Sequence, residues 1–230
     1  FPSIVTLLTG RYPHQHGIRT MFPTLAERAA VPPALPAMLR SAGYRTAALS
    51  DFYDEIFSRI DLGFDRAGVP EFDARSIVLQ RSLTVHKNLL SYLATDWGRT
   101  LGHRVFPELD SLAEIADAQK LADQAIDVLA DSWRTGQPFF LTVFFSSAHF
   151  PYAAPAPYYR RHTDPAYRGP FRYHKPPLSD PQNAADLAQV RGLYDGALAA
   201  ADDGVRRILD GLHNLGLDDQ TIVVVLADHG

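Results

Sequence analysis

The chain contains no cysteine, which excludes disulfides and thiolate metal centres and leaves its redox compartment unreadable. It also lacks an excess of basic charge. Twenty-two Lys and Arg stand against 26 Asp and Glu, for a formal net charge of -4. No basic run or face marks a nucleic-acid binder. No apolar run approaches the ~18 residues that a membrane-spanning helix needs. No secretory leader is visible, although the first residue is Phe1 rather than Met. What remains is ordinary globular composition, 46% hydrophobic over 230 residues, enough to bury one core. The start at Phe1 and the stop at Gly230 suggest an internal piece of a longer protein.

Periodicity supplies the elements. "PSIVTLLTG" (2–10) reads as a short helix stopped by Gly10, followed by the loop "RYPHQHGIRTMFP". "LPAMLRSAG" (35–43) is a second helix and "YRTAALS" (44–50) a strand. Residues 111–134 place Leu112, Ile115, Ala122, Ile126, Leu129 and Trp133 on one stripe, with Ser111 as N-cap and Glu114 three residues on. "FFLTVFF" (139–145) reads as a strand buried on both faces. A long helix over 184–215 is expected to turn Leu187, Val190, Tyr194, Leu198, Ala201, Val205, Ile208 and Leu212 inward. "TIVVVLA" (221–227) reads as a last buried strand.

Strands alternating with helices imply an α/β fold with a central, mainly parallel sheet flanked by helices. Such sheets carry their sites at the carboxyl ends of the strands. Three strand ends bear suitable residues: "SDFYDE" (50–55), "SSAHFPY" (146–152) and "DHG" (228–230). Two regions fit the sheet poorly. Residues 71–111 read as an insertion, within which 85–109 could be an interfacial amphipathic stretch. Residues 149–181 form a long irregular segment rich in Pro and Tyr, of the kind that is usually functional or mobile.

Each candidate has two readings. Asp228 and His229 are metal ligands held rigidly at a strand end, or a helix cap and a solvated imidazole. His149 can donate to an anionic substrate or a leaving oxygen, or be a satisfied structural histidine. His14 and His16, two apart in a Pro-containing loop, favour packing over metal binding. Arg11 can brace a loop through its guanidinium. Ser3 reads as a cap, and the tyrosines and bases of 152–175 as substrate contacts or an ordinary surface loop.

Taken together, four stretches carry a resemblance. "FPSIVTLLTGRYPHQHG" resembles the segment after the nucleophile in sulfatases of the alkaline phosphatase superfamily, and "LRSAGYRTAALS" resembles the family's "LKxxGYxTAxxG". "QPFFLTVFFSSAHFPYAAP" is similar to "PFFLxxxFxxPHxPxxxP". "LYDGALAAADDGVRRILDGLHNLGLDDQTIVVVLADHG" is similar to the stretch ending "TSDHG". They lie in family order and frame almost the whole chain. The resemblance implies a metal-dependent sulfuric ester hydrolase with one divalent ion, calcium first and Mn2+, Mg2+ or Zn2+ as alternatives. It makes Asp228 and His229 metal ligands, His149 a substrate-contacting catalytic histidine, and Thr9, Gly10 and Arg11 supports of the nucleophile helix. The nucleophile itself is expected immediately before Phe1. Substrate would be a sulfate or phosphate ester, and the whole protein would sit in the cell envelope or periplasm, with membrane association among the options.

Departures qualify this expectation. Ile4 stands where the nucleophile motif has Arg, and "SDFY" (50–53) stands where sulfatases have "GKWH". Asp51 therefore replaces a sulfate-gripping lysine and Tyr53 a histidine. These changes keep two rivals open. One is a phosphodiesterase or phosphoglycerol-type transferase with a Thr or Ser nucleophile. The other is a non-catalytic binding domain of the same fold.

Overall fold

The computed structural model describes residues 2–51, 57, 59–68, 95–106, 117–175 and 179–229, with isolated positions between 75 and 93. Element order is α1 (Pro2–Thr9), α2 (Pro13–His16), α3 (Leu25–Ala29), α4 (Leu35–Ser41), β1 (Arg45–Ser50), β2 (Arg66–Gly68), α5 (Asp96–Val105), α6 (Ala118–Thr135), β3 (Phe139–Phe144) and α7 (Ala184–Asn214). Among the described residues the sheet has three strands in the order β2-β1-β3, and both pairings are parallel. Central β1 is therefore the strand whose end is flanked on both sides. Its register with β2 is pinned by Asp65, whose carboxylate accepts from the Thr46 N–H at 2.9 Å and the Thr46 hydroxyl at 3.0 Å.

The strands alternate as a half-buried or buried sheet must. Ala48, Phe140 and Phe144 face a cluster with Ile4, Val5 and Leu8 of α1. Ala47, Leu49, Leu141 and Val143 face Leu121, Ala125 and Val128 of α6. Helices thus cover both faces, as expected for an α/β fold. β3 is half-buried rather than fully buried. Its outer edge has no neighbouring strand among the described residues.

Helix starts differ in one case. α6 is capped by Asp117, whose carboxylate accepts from the N–H groups of Gln119 and Lys120. This replaces the expected cap at Ser111, which lies with Glu114, Leu112 and Ile115 outside the described residues. Trp133, expected inward, is exposed.

The long helix α7 departs in part from its expected face. Leu187, Tyr194 and Leu198 are exposed, while Gly192, Leu193, Gly196, Ala197, Ala200 and Gly204 are buried. The reason is backbone approach. A Cβ on Gly192 would stand 2.3 Å from the His162 carbonyl oxygen, and one on Gly196 2.4 Å from that of Tyr158. Small residues therefore line the closest backbone approaches, while Val190, Ile208 and Leu212 pack inward as expected, with Leu193 beside them.

What packs there is the Pro- and Tyr-rich segment, which is neither loose nor an ordinary surface loop. Tyr159, Tyr167 and Phe171 are buried with Leu193 in one apolar cluster. The Tyr167 hydroxyl donates to Asp186 Oδ1 at 2.6 Å, and burial followed by this bond pushes the phenol up to about 12. Asp186 Oδ2 accepts from the Gln182 N–H and Asn183 Nδ2. The Lys175 N–H donates to the Pro151 carbonyl at 2.9 Å, closing the segment on its own start. Tyr167→Phe removes one donor to a buried carboxylate and is expected to cost about 2 kcal/mol in urea unfolding.

The last expected strand is corrected. Residues 221–227 pair with no strand among the described residues, and Ile222, Val224 and Val225 are 93%, 71% and 71% exposed. Apolar β-branched composition favours extended backbone, but composition does not supply a partner edge. No helix of the described residues is long and apolar enough to cross a membrane.

Candidate active site at the carboxyl ends of the strands

The site begins where β1 and β3 run out side by side. Asp51 follows β1, and Ser146 and Ser147 follow β3; all three are buried. Asp51 Oδ1 accepts from the Ser146 N–H at 2.8 Å, tying the two strand ends together. Asp51 Oδ2, Ser146 Oγ and Ser147 Oγ are buried with no hydrogen-bond partner among the described residues. Three unsatisfied buried oxygens in one place are unusual, because each forgoes hydration. Such a cluster is a place where a further polar partner, from outside the described residues, would be accommodated.

Burial dominates the electrostatics of Asp51 and pushes its carboxyl up to about 6. The Ser146 N–H and hydroxyl oppose the shift, the hydroxyl without reaching hydrogen-bond geometry, and the nearby negative charge of Asp117 adds to it. Asp117 is itself held by Arg99, at 2.7 Å. A carboxyl with its midpoint near neutrality can hold or release a proton at working pH. Asp51 was expected as a substrate contact. In the structure it is first a cross-strand tie, with one oxygen left for a further partner.

His149 stands three residues past Ser146, and its N–H donates to the Ser146 carbonyl at 2.7 Å. Its ring is exposed at the rim, with Nδ1 2.6 Å from the Phe150 carbonyl. A carbonyl only accepts, so Nδ1 carries the proton in this bond and Nε2 is the other ring nitrogen. Lys175 also reaches this rim, its ammonium 5.2 Å above the Phe150 ring. Sequence reading included Lys175 only among the bases of 152–175; 26 residues separate it from His149, and the folded-back segment brings it near.

α1 is fixed by a histidine rather than an arginine. Buried His16 accepts the Ile18 N–H at Nδ1, 3.1 Å, so its Nε2 donates to Thr6 Oγ1 at 3.0 Å. Burial is the main cause that lowers its pKa. This neutral imidazole clamps the loop to α1, as packing favoured, while His14 stacks on Tyr12. Thr9 Oγ1 donates back to the Val5 carbonyl at 2.6 Å and accepts the Arg11 N–H at 3.3 Å, and Gly10 ends α1 at φ 64°. The Arg11 side chain is exposed.

The remaining expected residues are Tyr53, Asp228 and His229. Tyr53 lies outside the described residues. Asp228 Oδ2 and His229 Nε2 are 3.7 Å apart on the unpaired terminal run. Among the described residues no third Asp, Glu or His joins them. Calcium takes six to eight oxygen ligands, so this pair by itself does not fit that ion.

The arrangement defines a class: an α/β protein with a parallel sheet whose strand ends carry a buried acid, two serines and a histidine. The sulfatase family model matches residues 1–230, and the chain belongs to the sulfatase family. It is 23% identical to the uncharacterized sulfatase YdeN of Escherichia coli K12 over the whole of this chain and 38% of that protein. It is 24% identical over 51% of its length to the multifunctional alkaline phosphatase superfamily protein PehA of Trinickia caryophylli, covering 28% of PehA. The crystal structure of Ps i-CgsB in complex with k-i-k-neocarrahexaose has the same fold, with a TM-score of 0.57 at 18% identity over 95% of this chain and 45% of that one. The chain thus spans well under half the length of the curated relatives it matches.

Proposed function

We propose that this chain forms the catalytic edge of a metal-dependent enzyme that hydrolyses sulfate esters. The observation that carries the reading is the buried, incompletely satisfied set of Asp51, Ser146 and Ser147 at adjoining strand ends, with His149 at its rim. In this reading the ester oxygens occupy the edge and complete the unsatisfied hydroxyls. His149 donates through Nε2 to the leaving oxygen, its ring aimed by the bond from Nδ1 to the Phe150 carbonyl. Asp51, whose buried carboxyl is raised to about 6, takes up or releases a proton at this edge as pH passes through that value. Helix α1, clamped by His16, supports a nucleophile at its N-terminal end. Arg11, exposed beyond that helix, and Tyr53 contact the substrate. Asp228 and His229 contribute two ligands to a divalent cation whose other donors are not among the described residues.

Asp51 also favours a second reading. A carboxyl standing where a lysine would grip sulfate removes a cation from the site, which suits phosphodiester hydrolysis or phosphoglycerol-type transfer with a Thr or Ser nucleophile. The two are separated by assaying the complete gene product on 4-nitrophenyl sulfate and bis(4-nitrophenyl) phosphate. Preference for the sulfate supports the first reading and preference for the diester the second. Turnover of neither would leave a non-catalytic member of the fold. Asp228→Ala is expected to remove most activity on the preferred ester, and unchanged turnover in the variant after chelation would refute the metal assignment.

A further inference from the structure

The segment packed on α7 carries four arginines between residues 160 and 172, and they are held differently. Arg161 is spent on Asp203, 3.7 Å away, and lies over the Tyr158 ring. Arg168 is tied through Nη1 to the Pro165 and Tyr167 carbonyls at 2.8 and 3.1 Å. Arg160 and Arg172 are exposed, and no carboxylate among the described residues lies within ion-pair distance of either. Each instead has its guanidinium over a tyrosine, Arg160 at 5.1 Å from the Tyr159 centroid and Arg172 at 5.2 Å from that of Tyr173. The two rings are neighbours, 5.4 Å between centroids. Tyr159 is anchored in the buried cluster, so this ladder of two cations on two rings is preorganised rather than floppy.

From this geometry we infer that Arg160 and Arg172 form a subsite for further anionic groups of a sulfated polysaccharide, beyond the ester being cleaved. The subsite deepens the ester-hydrolase reading and rests on it for the claim that the bound polyanion is substrate. Guanidiniums left unneutralised on a chain of net charge -4 are a local exception to the charge of the whole. Their planar forks suit sulfate oxygens. The segment starts at His149, and the Lys175 N–H returns to the Pro151 carbonyl, so the ladder lies on a stretch tied at both ends beside the residue that follows β3. A lipid surface fits less well. Tyr159, Tyr167 and Phe171 of this segment are turned inward, away from any bilayer.

The test is binding, read without turnover. The complete gene product is titrated at low salt with dextran sulfate, uncharged dextran and phosphatidylglycerol vesicles. The double variant Arg160→Gln/Arg172→Gln is expected to bind dextran sulfate about tenfold more weakly, from two lost charge-assisted contacts. Arg161→Gln, already neutralised by Asp203, is expected to change it less than twofold. Equal binding by the double variant and wild type overturns the subsite, and so does a loss confined to the vesicles. If the protein cleaves no ester yet loses dextran sulfate through these two substitutions, the hydrolase reading falls and the polyanion subsite stands.

Discussion

His149→Ala is expected to lower turnover of the preferred ester by about 10²–10⁴-fold, the usual contribution of a positioned general acid or base. The fold should survive, because the ring is exposed and the strand-end turn is made by the backbone N–H of residue 149, which alanine retains. The loss should fall mainly on kcat if the imidazolium acts on the leaving oxygen. It should shrink for esters with acidic leaving groups such as 4-nitrophenol, which need little protonation, and grow for alkyl esters. A uniform loss across leaving groups would instead mark a residue that only binds. Steady-state kinetics on an aryl and an alkyl ester, wild type against variant, makes the distinction.

Asp51→Asn is expected to stabilise the protein while disabling it. The carboxyl of Asp51 lies at about 6 in the folded chain against 3.8 for an ordinary Asp, because burial disfavours its charged form. Below both values the group is protonated folded or unfolded and contributes nothing to pH dependence. As pH rises from about 4 to about 6 the unfolded chain releases the proton and the folded chain keeps it, so stability falls, by about 3 kcal/mol in total, and is level above. Asparagine keeps an oxygen for the Ser146 N–H and never ionises. At pH 8 the variant should therefore be more stable by about 2 kcal/mol, roughly 4–8 °C in Tm for a chain of this size. At pH 4 the two should melt together. Thermal unfolding at both pH values checks it. The same variant should lose most ester turnover, the expected cost of removing strain from an active site.

The fold was legible where local signals and tertiary packing agree. α1, α4, β1 and β3 appear within a residue or two of their apolar periodicity, and Gly10 stops α1 as read. Disagreement arose where one neighbour decides. α7 buries glycine and alanine because a backbone segment lies against it, which no helical wheel of bulky residues reveals. "TIVVVLA" has strand composition, but a strand is made by its partner, and none pairs with it among the described residues. β2, three residues long, was too short to leave a periodic mark. At the site, sequence pointed to the strand ends and so to Asp51 and His149. The serines were inside the strand end "SSAHFPY" but were given no role of their own, although "SS" directly after an apolar strand is the signal that polar groups are being buried there. His16 could be assigned to packing from sequence, while its role as the clamp on α1 emerges only from its two hydrogen bonds.

The central claim is that the carboxyl ends of β1 and β3 seat the ester. Its most direct test is a crystal structure of the complete gene product soaked with vanadate, which mimics the geometry of the transferring group. The account predicts the oxyanion at the ends of β1 and β3, within hydrogen-bond distance of His149 Nε2 and a hydroxyl of Ser146 or Ser147. Vanadate bound elsewhere, with Asp51, Ser146, Ser147 and His149 all unengaged, would contradict it.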